Sequence, residues 1–152
     1  MYTTDEAREW GTMLDKYAAE GFEEIEHTAD WAYRIWSKSL VGLFIQAARG
    51  LYQLAGTQLA SGDRQTREIE LQAIDAESLL VAWLNELLNL HESDNLGCEV
   101  IDIIQLDSTL IKARVTTASI QQWIKDIKAA TYHNIAIQNT ATGFEVTVVL
   151  DV

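Results

Sequence analysis

An α+β fold follows from three observations on this 152-residue sequence. Two segments carry apolar residues at helical spacing, a larger number of short segments alternate or are rich in β-branched residues, and several of these are joined by hairpin signals. Two core helices packed on a mixed, mostly antiparallel β-sheet are the arrangement that buries both helical stripes. There is no Pro and the eight Gly are scattered, so no linker divides the chain and a single domain is expected. Hydrophobic residues make up 48%, with five Trp, which is enough for a substantial core.

Residues 3 to 20 read as an amphipathic helix preceding the domain proper, which spans 21 to 152. Thr3 or Thr4 caps this helix, Trp10, Leu14 and Tyr17 recur along it, and Gly21 stops it. Phe22 to Glu26 and Ala32 to Ser37 read as strands flanking a turn at His27 to Trp31. A helix over Ser39 to Ala55 carries the stripe Leu40, Leu43, Phe44, Ala47, Ala48, Leu51, Tyr52, and Gly56 ends it. Residues 57 to 66 read as a polar loop, and Thr66 to Ala73 alternates as a half-buried strand does. Asp75 caps a second helix over Ala76 to Leu90, with Leu79, Leu80, Trp83, Leu84, Leu87 and Leu88 facing inward. Glu92 to Gly97 reads as turn, and Val100 to Leu106 with Leu110 to Thr117 as a hairpin about Asp107-Ser108. Ile120 to Ile124 fits either class. Ile127 to Gln138 and Gly143 to Leu150 read as a final strand pair.

The formal net charge of −12, with basic residues dispersed, argues against direct nucleic-acid binding, which needs clustered Lys and Arg. An acidic surface suits cations, basic partners or simple solubility. The single Cys98, flanked by apolar residues, reads as a buried small hydrophobe in a reducing cytosol. Met1 to Glu20 has no apolar stretch of signal-peptide type, and no apolar run reaches the length of a membrane span. Phosphate-loop, dinucleotide, zincin, CxxC, GxSxG and EF-hand patterns are all missing, and no nucleophile–base–orienter set is readable.

Two acidic positions at opposite ends of the chain stand out. His27-Thr28-Ala29-Asp30 lies between two short apolar stretches, and Val148 to Val152 runs a strand into the last residues, setting Asp151 beside the carboxylate of Val152. If the fold joins them, three anionic oxygen groups converge, as a hard divalent cation requires. Taken singly, Asp30 reads as an Asx-turn or cap residue and Asp151 as a solvated acid. His133 reads as a hydrogen-bonded strand histidine or as a ligand or base, sharing a strand face with Thr131 while Lys128 points oppositely. Glu86, at the edge of the second helix's apolar face, is a solvated acid or an acid beside the metal. Trp31, Tyr33 and Trp36 are core or partner-facing.

Four segments in order resemble the archease family: His27-Thr28-Ala29-Asp30, then Asp75 to Leu88 (DAESLLVAWLNELL), then Ile127 to His133 (IKAATYH), then Val149-Leu150-Asp151-Val152. The resemblance covers residues 22 to 152 and leaves residues 1 to 20 without a counterpart. It implies a small acidic cytoplasmic protein that assists the tRNA-splicing RNA ligase of the RtcB type. Its role there is to promote guanylylation of the ligase so that it turns over repeatedly, without catalysing ligation itself. It also implies a divalent cation, calcium, held by Asp30, Asp151 and Val152. Glu86, Lys128 and His133 match motif positions, and with His27 they are expected beside the cation or facing the partner. A metal-dependent hydrolase using the same carboxylates, or a cation-binding chaperone-like interaction module, are the readings of other classes. The missing nucleophile–base set weighs against the hydrolase.

Overall fold

The computed structural model describes residues 19–25 and 31–152. The helix expected over residues 3 to 20 and the turn at His27 to Asp30 lie outside the described residues. The elements run β1 (Gly21–Ile25), β2 (Trp31–Ser37), α1 (Leu40–Ala55), β3 (Gln58–Leu59), β4 (Gln65–Gln72), α2 (Ala76–Asp94), β5 (Leu96–Leu106), β6 (Leu110–Gln122), β7 (Ala129–Ala130), β8 (Gln138–Thr140) and β9 (Gly143–Asp151). The α+β expectation holds. Where one mixed sheet was expected, the strands divide between two sheets, and every ladder among the described residues is antiparallel.

In the first sheet β9 is an inner strand, with β2 along one edge and β7 and β8 along the other, and β1 beyond β2. In the second, β6 is central, paired with β5 and β4 over overlapping residues and with β3 near its end. Alternation decides which way each strand faces. Ile111, Ala113 and Val115 of β6 are buried while Lys112 and Arg114 are exposed, and Ile69 of β4 is buried between exposed Glu68 and Glu70. Helix α1 packs on β1, β2 and β9, and α2 contacts α1, β7 and the second sheet, so one core runs between both sheets.

Both helix starts follow from side-chain caps. Ser39 Oγ accepts from the Gly42 N–H at 3.0 Å, and Asp75 Oδ1 accepts from the Ser78 N–H at 2.7 Å. The latter bond also holds the Asp75 carboxyl below the usual carboxylate range. Helix α1 ends at Gly56 with φ 69°, and there a Cβ would also meet the Ile124 side chain at 2.9 Å. Inside the core, Tyr33 donates to the Ala47 carbonyl at 2.7 Å and Trp83 Nε1 donates to the Phe44 carbonyl at 3.0 Å, so both buried rings satisfy their polar atoms. Tyr33 is thus core, as the sequence suggested.

Four boundaries differ from expectation. Residues 57 to 66 contain the short β3, whose two residues are too few to show a period. Helix α2 runs on to Asp94 and ends at Asn95 with φ 55°, so β5 starts at Leu96 where a turn was expected. Ile120 to Gln122 finish β6. The expected strand over Ile127 to Gln138 is only Ala129–Ala130, followed by an irregular stretch that turns at His133 and Asn134, the latter with φ 51°. Its apolar residues Ile127, Ile135 and Ile137 pack on the core individually rather than through a ladder.

Candidate functional site

The site is built around the end of β9. Trp31, the first residue of β2, pairs with Leu150, and Ala129 of β7 pairs with Asp151 on the opposite edge of the same strand. The Lys128 N–H donates to the Asp151 carbonyl at 2.8 Å, and Thr131 donates to the Val149 carbonyl from both its N–H and its hydroxyl, each at 3.0 Å. The last residues of β9 are therefore held on both sides. Asp151 and Val152 are exposed, and no side chain among the described residues bonds the Asp151 carboxylate. Among the described residues its oxygens have no partner, and a carboxylate is the kind of oxygen donor a hard divalent cation takes.

Of the residues expected at the site, His27 and Asp30 lie outside the described residues. Lys128 is exposed and joined to Asp151 through its backbone. The strand-face argument for Lys128, Thr131 and His133 does not apply, because the strand ends at Ala130. His133 is exposed on a turn, its N–H bonded to Thr131 Oγ1 at 3.3 Å and its Nε2 3.3 Å from Asn134 Nδ2. It is not an interior strand histidine. Glu86 is half-buried on α2, and no hydrogen bond or ion pair joins it to Asp151, Lys128 or His133. Among the described residues no group of three or more His, Cys, Asp or Glu could hold a metal. A cation here thus needs oxygens beyond the described carboxylates.

Two residues at the site escaped the sequence reading. Asn85 of α2 donates from Nδ2 to the Ala130 carbonyl at 3.2 Å and accepts from the Ala130 N–H at 2.8 Å. This double bond pins the short β7 to a core helix, and β7 in turn holds Asp151. The available signal was an Asn, a poor helix former, between core leucines. Asn85→Ala removes both partners of Ala130 and is expected to cost about 2 kcal/mol. It is also expected to raise amide exchange at Ala130 and Lys128 above that of the α2 core. Unchanged exchange at Ala130 would show that β7 does not depend on the clamp.

The other residue is Lys125, whose Nζ lies over the Trp31 ring, 5.4 Å from its centroid. Trp31 is also held from the other strand, its Nε1 donating to Glu24 Oε1 at 2.5 Å. The segment leading from β6 to β7 is anchored throughout. Trp123 stacks on His91 at 3.7 Å and meets Tyr52 edge-on, and the N–H groups of Ile124 and Lys125 both donate to the Ala55 carbonyl. Cys98 is buried, and burial pushes its thiol up, as suits an inert packing residue.

A family model, the Archease protein family (MTH1598/TM1083), matches residues 22–152. The chain belongs to the archease family. Protein archease of Methanosarcina barkeri (strain Fusaro) is 31% identical over 140 residues, covering 86% of this chain and 95% of that protein. Protein archease of Saccharolobus islandicus (strain M.14.25) is 32% identical over 136 residues, covering 86% of this chain and 98% of its own. The solution structure of Methanobacterium thermoautotrophicum protein 1598 shares the fold, with a TM-score of 0.63 at 24% identity over 87% of this chain and 99% of that one. The archease match takes in every element from β2 to β9, and so the whole frame around Asp151.

Proposed function

We propose that this chain is an accessory protein of a tRNA-splicing RNA ligase, not an enzyme, and that it stimulates ligase guanylylation and repeated turnover. Membership of the archease family over residues 22–152 is the observation that carries this reading. The lone, buried Cys98 suits a reducing cytosol as the place of action.

The working end is the end of β9, where Asp30, Asp151 and an oxygen of Val152 hold a divalent cation, calcium being the one the family resemblance implies. Two facts support this. Asp151 offers an exposed carboxylate without a partner among the described residues, on a strand fixed from both edges. Trp31, next to Asp30 in sequence, pairs with Leu150, next to Asp151. Covalent geometry alone then keeps the two aspartate Cα atoms within about 13 Å, however residues 26–30 are arranged. A bound divalent cation supplies positive charge and Lewis acidity toward phosphate or carboxylate oxygens. The protein's own contribution is to carry the Asp151 carboxylate on a strand held at both edges, with Asn85 fixing β7 against it.

The test is multiple-turnover RNA ligation by the ligase of the same organism, with and without substoichiometric amounts of this protein. The expected result is a rise from about one turnover per ligase to many. No change with a competent ligase would overturn the reading.

A further inference from the structure

The end of α2 and the connector that follows β6 meet in a ring stack. His91, in the last turn of α2, lies flat on Trp123, with ring centroids 3.7 Å apart and planes 8° from parallel. Tyr52 of α1 meets Trp123 edge-on at 6.2 Å. Directly after the stack, the N–H groups of Ile124 and Lys125 bond the Ala55 carbonyl, and Lys125 Nζ sits over the Trp31 ring. Ile127 is then buried in the core. Residues 123–126 belong to no strand, so the stack and these few bonds are what fasten them.

We propose that His91 and Trp123 form an acid-sensitive latch: the neutral imidazole keeps residues 123–126 fastened to α2, and protonation of His91 releases them and uncovers Trp31. The argument rests on hydrogen-bond donors. A neutral histidine carries one N–H and can keep its other ring nitrogen bare, whereas the imidazolium carries two N–H groups. His91 Nδ1 is buried without a hydrogen-bond partner among the described residues, and so is Trp123 Nε1, which can only donate. A proton on Nδ1 therefore adds a second unmet donor to one stack, at a cost that an unstacked, hydrated ring escapes. The charges acting on the ring pull the other way. Glu92, beside it in α2, and Asp126, on the connector, favour the imidazolium, but burial outweighs them and holds the ring below the usual histidine range. Tyr52, on the α1 side of the stack, is uncharged, because burial pushes its hydroxyl well above the usual tyrosine range. A histidine depressed in the folded state contributes stability above its unfolded value, about 6.5, and loses it as pH falls through the folded value. The latch is thus closed at neutral pH and opens in acid.

The latch needs neither a metal nor a ligase, so its failure is separate from failure of the proposed function. Amide hydrogen exchange of the full-length protein is followed from about pH 7.5 to about pH 5, each rate divided by that of an unstructured chain at the same pH. Protection of the Ile124 and Lys125 amides is expected to fall about tenfold or more in acid. Protection of Ala130, held by Asn85, and of Leu84 in the α2 core is expected to stay unchanged. His91→Phe keeps an aromatic ring on Trp123 and cannot titrate, so its Ile124 and Lys125 amides are expected to stay protected throughout. His133→Gln, at an exposed histidine, is expected to respond as wild type does. In the wild type, the His91 ring resonances are expected to titrate with the same midpoint as the loss of protection, a measurement that needs no variant. The proposal is overturned by constant protection of Ile124 and Lys125 in the wild type, or by a fall in His91→Phe as large as the wild type's. It is also overturned by midpoints that do not coincide, or by an equal fall at Leu84, which would mean that the whole fold loosens.

Discussion

Asp151→Asn is expected to remove the stimulation of ligation while leaving the folded protein as stable as the parent. The carboxylate is exposed, at the last position of β9, and bonds no side chain among the described residues, so its charge contributes little to folding. The backbone bond from Lys128 to the Asp151 carbonyl is untouched by the substitution. For a hard cation, exchanging a carboxylate for an amide removes a full charge from a site with few anionic donors, which weakens binding by roughly tenfold or more. Asp30→Asn is expected to act in the same way. Calcium titration, thermal unfolding and multiple-turnover ligation on the same variants separate the possibilities. Stimulation retained in both variants would remove these carboxylates from the mechanism, and a lowered unfolding temperature in Asp151→Asn would make that residue structural.

Trp83→Ala is expected to be the most damaging single change to stability. The ring is fully buried at the meeting of α2 and α1, and its Nε1–H satisfies the Phe44 carbonyl. Emptying a buried Trp site costs about 3–5 kcal/mol, to which the orphaned carbonyl adds. Domains of this size are stable by roughly 5–15 kcal/mol, so much of the margin is lost. Trp83→Phe keeps most of the volume and loses only the hydrogen bond, with an expected cost of about 1–2 kcal/mol. Urea unfolding checks this: the midpoint should fall in the order wild type, Phe, Ala, with the slope unchanged. Equal midpoints for the Phe and Ala variants would mean the hydrogen bond, not the volume, carries the effect.

The helices were legible because their signals are local. Gly56 and Asp75 mark helix ends at the positions where the structure has them, Ser39, read as the first helical residue, is the N-cap, and the apolar stripes between are the buried faces. The segment after Ile127 was not legible, because its apolar residues pack singly against the core and mimic a strand in composition. The one local cue to its turn was Asn134, a residue type that tolerates positive φ. The extension of α2 past Leu90 was hidden in the same way, since Glu92, Ser93 and Asp94 are exposed and break the apolar period without breaking the helix. At the candidate site, a convergence of Asp30 with Asp151 was suspected from two acidic positions, while the pairing of β2 with β9 that holds the Asp151 end was not read from the sequence. The roles of Asn85 and Lys125 were not read either, because both depend on contacts across 45 and 94 positions, which no periodicity encodes.

The register of β2 against β9 has a kinetic side. It joins Trp31 to Leu150, whereas the hairpins of the second sheet join near neighbours such as Leu106 and Ile111. Closing so wide a loop sacrifices chain entropy before any contact rewards it, and topologies rich in such contacts fold slowly. The second sheet is therefore expected to nucleate first, with the β9 edge annealing onto β2 late. The Asp151 end is then assembled only in the finished fold. At the proposed cation site, ion binding would then mark completed folding and would shift the equilibrium toward the native state.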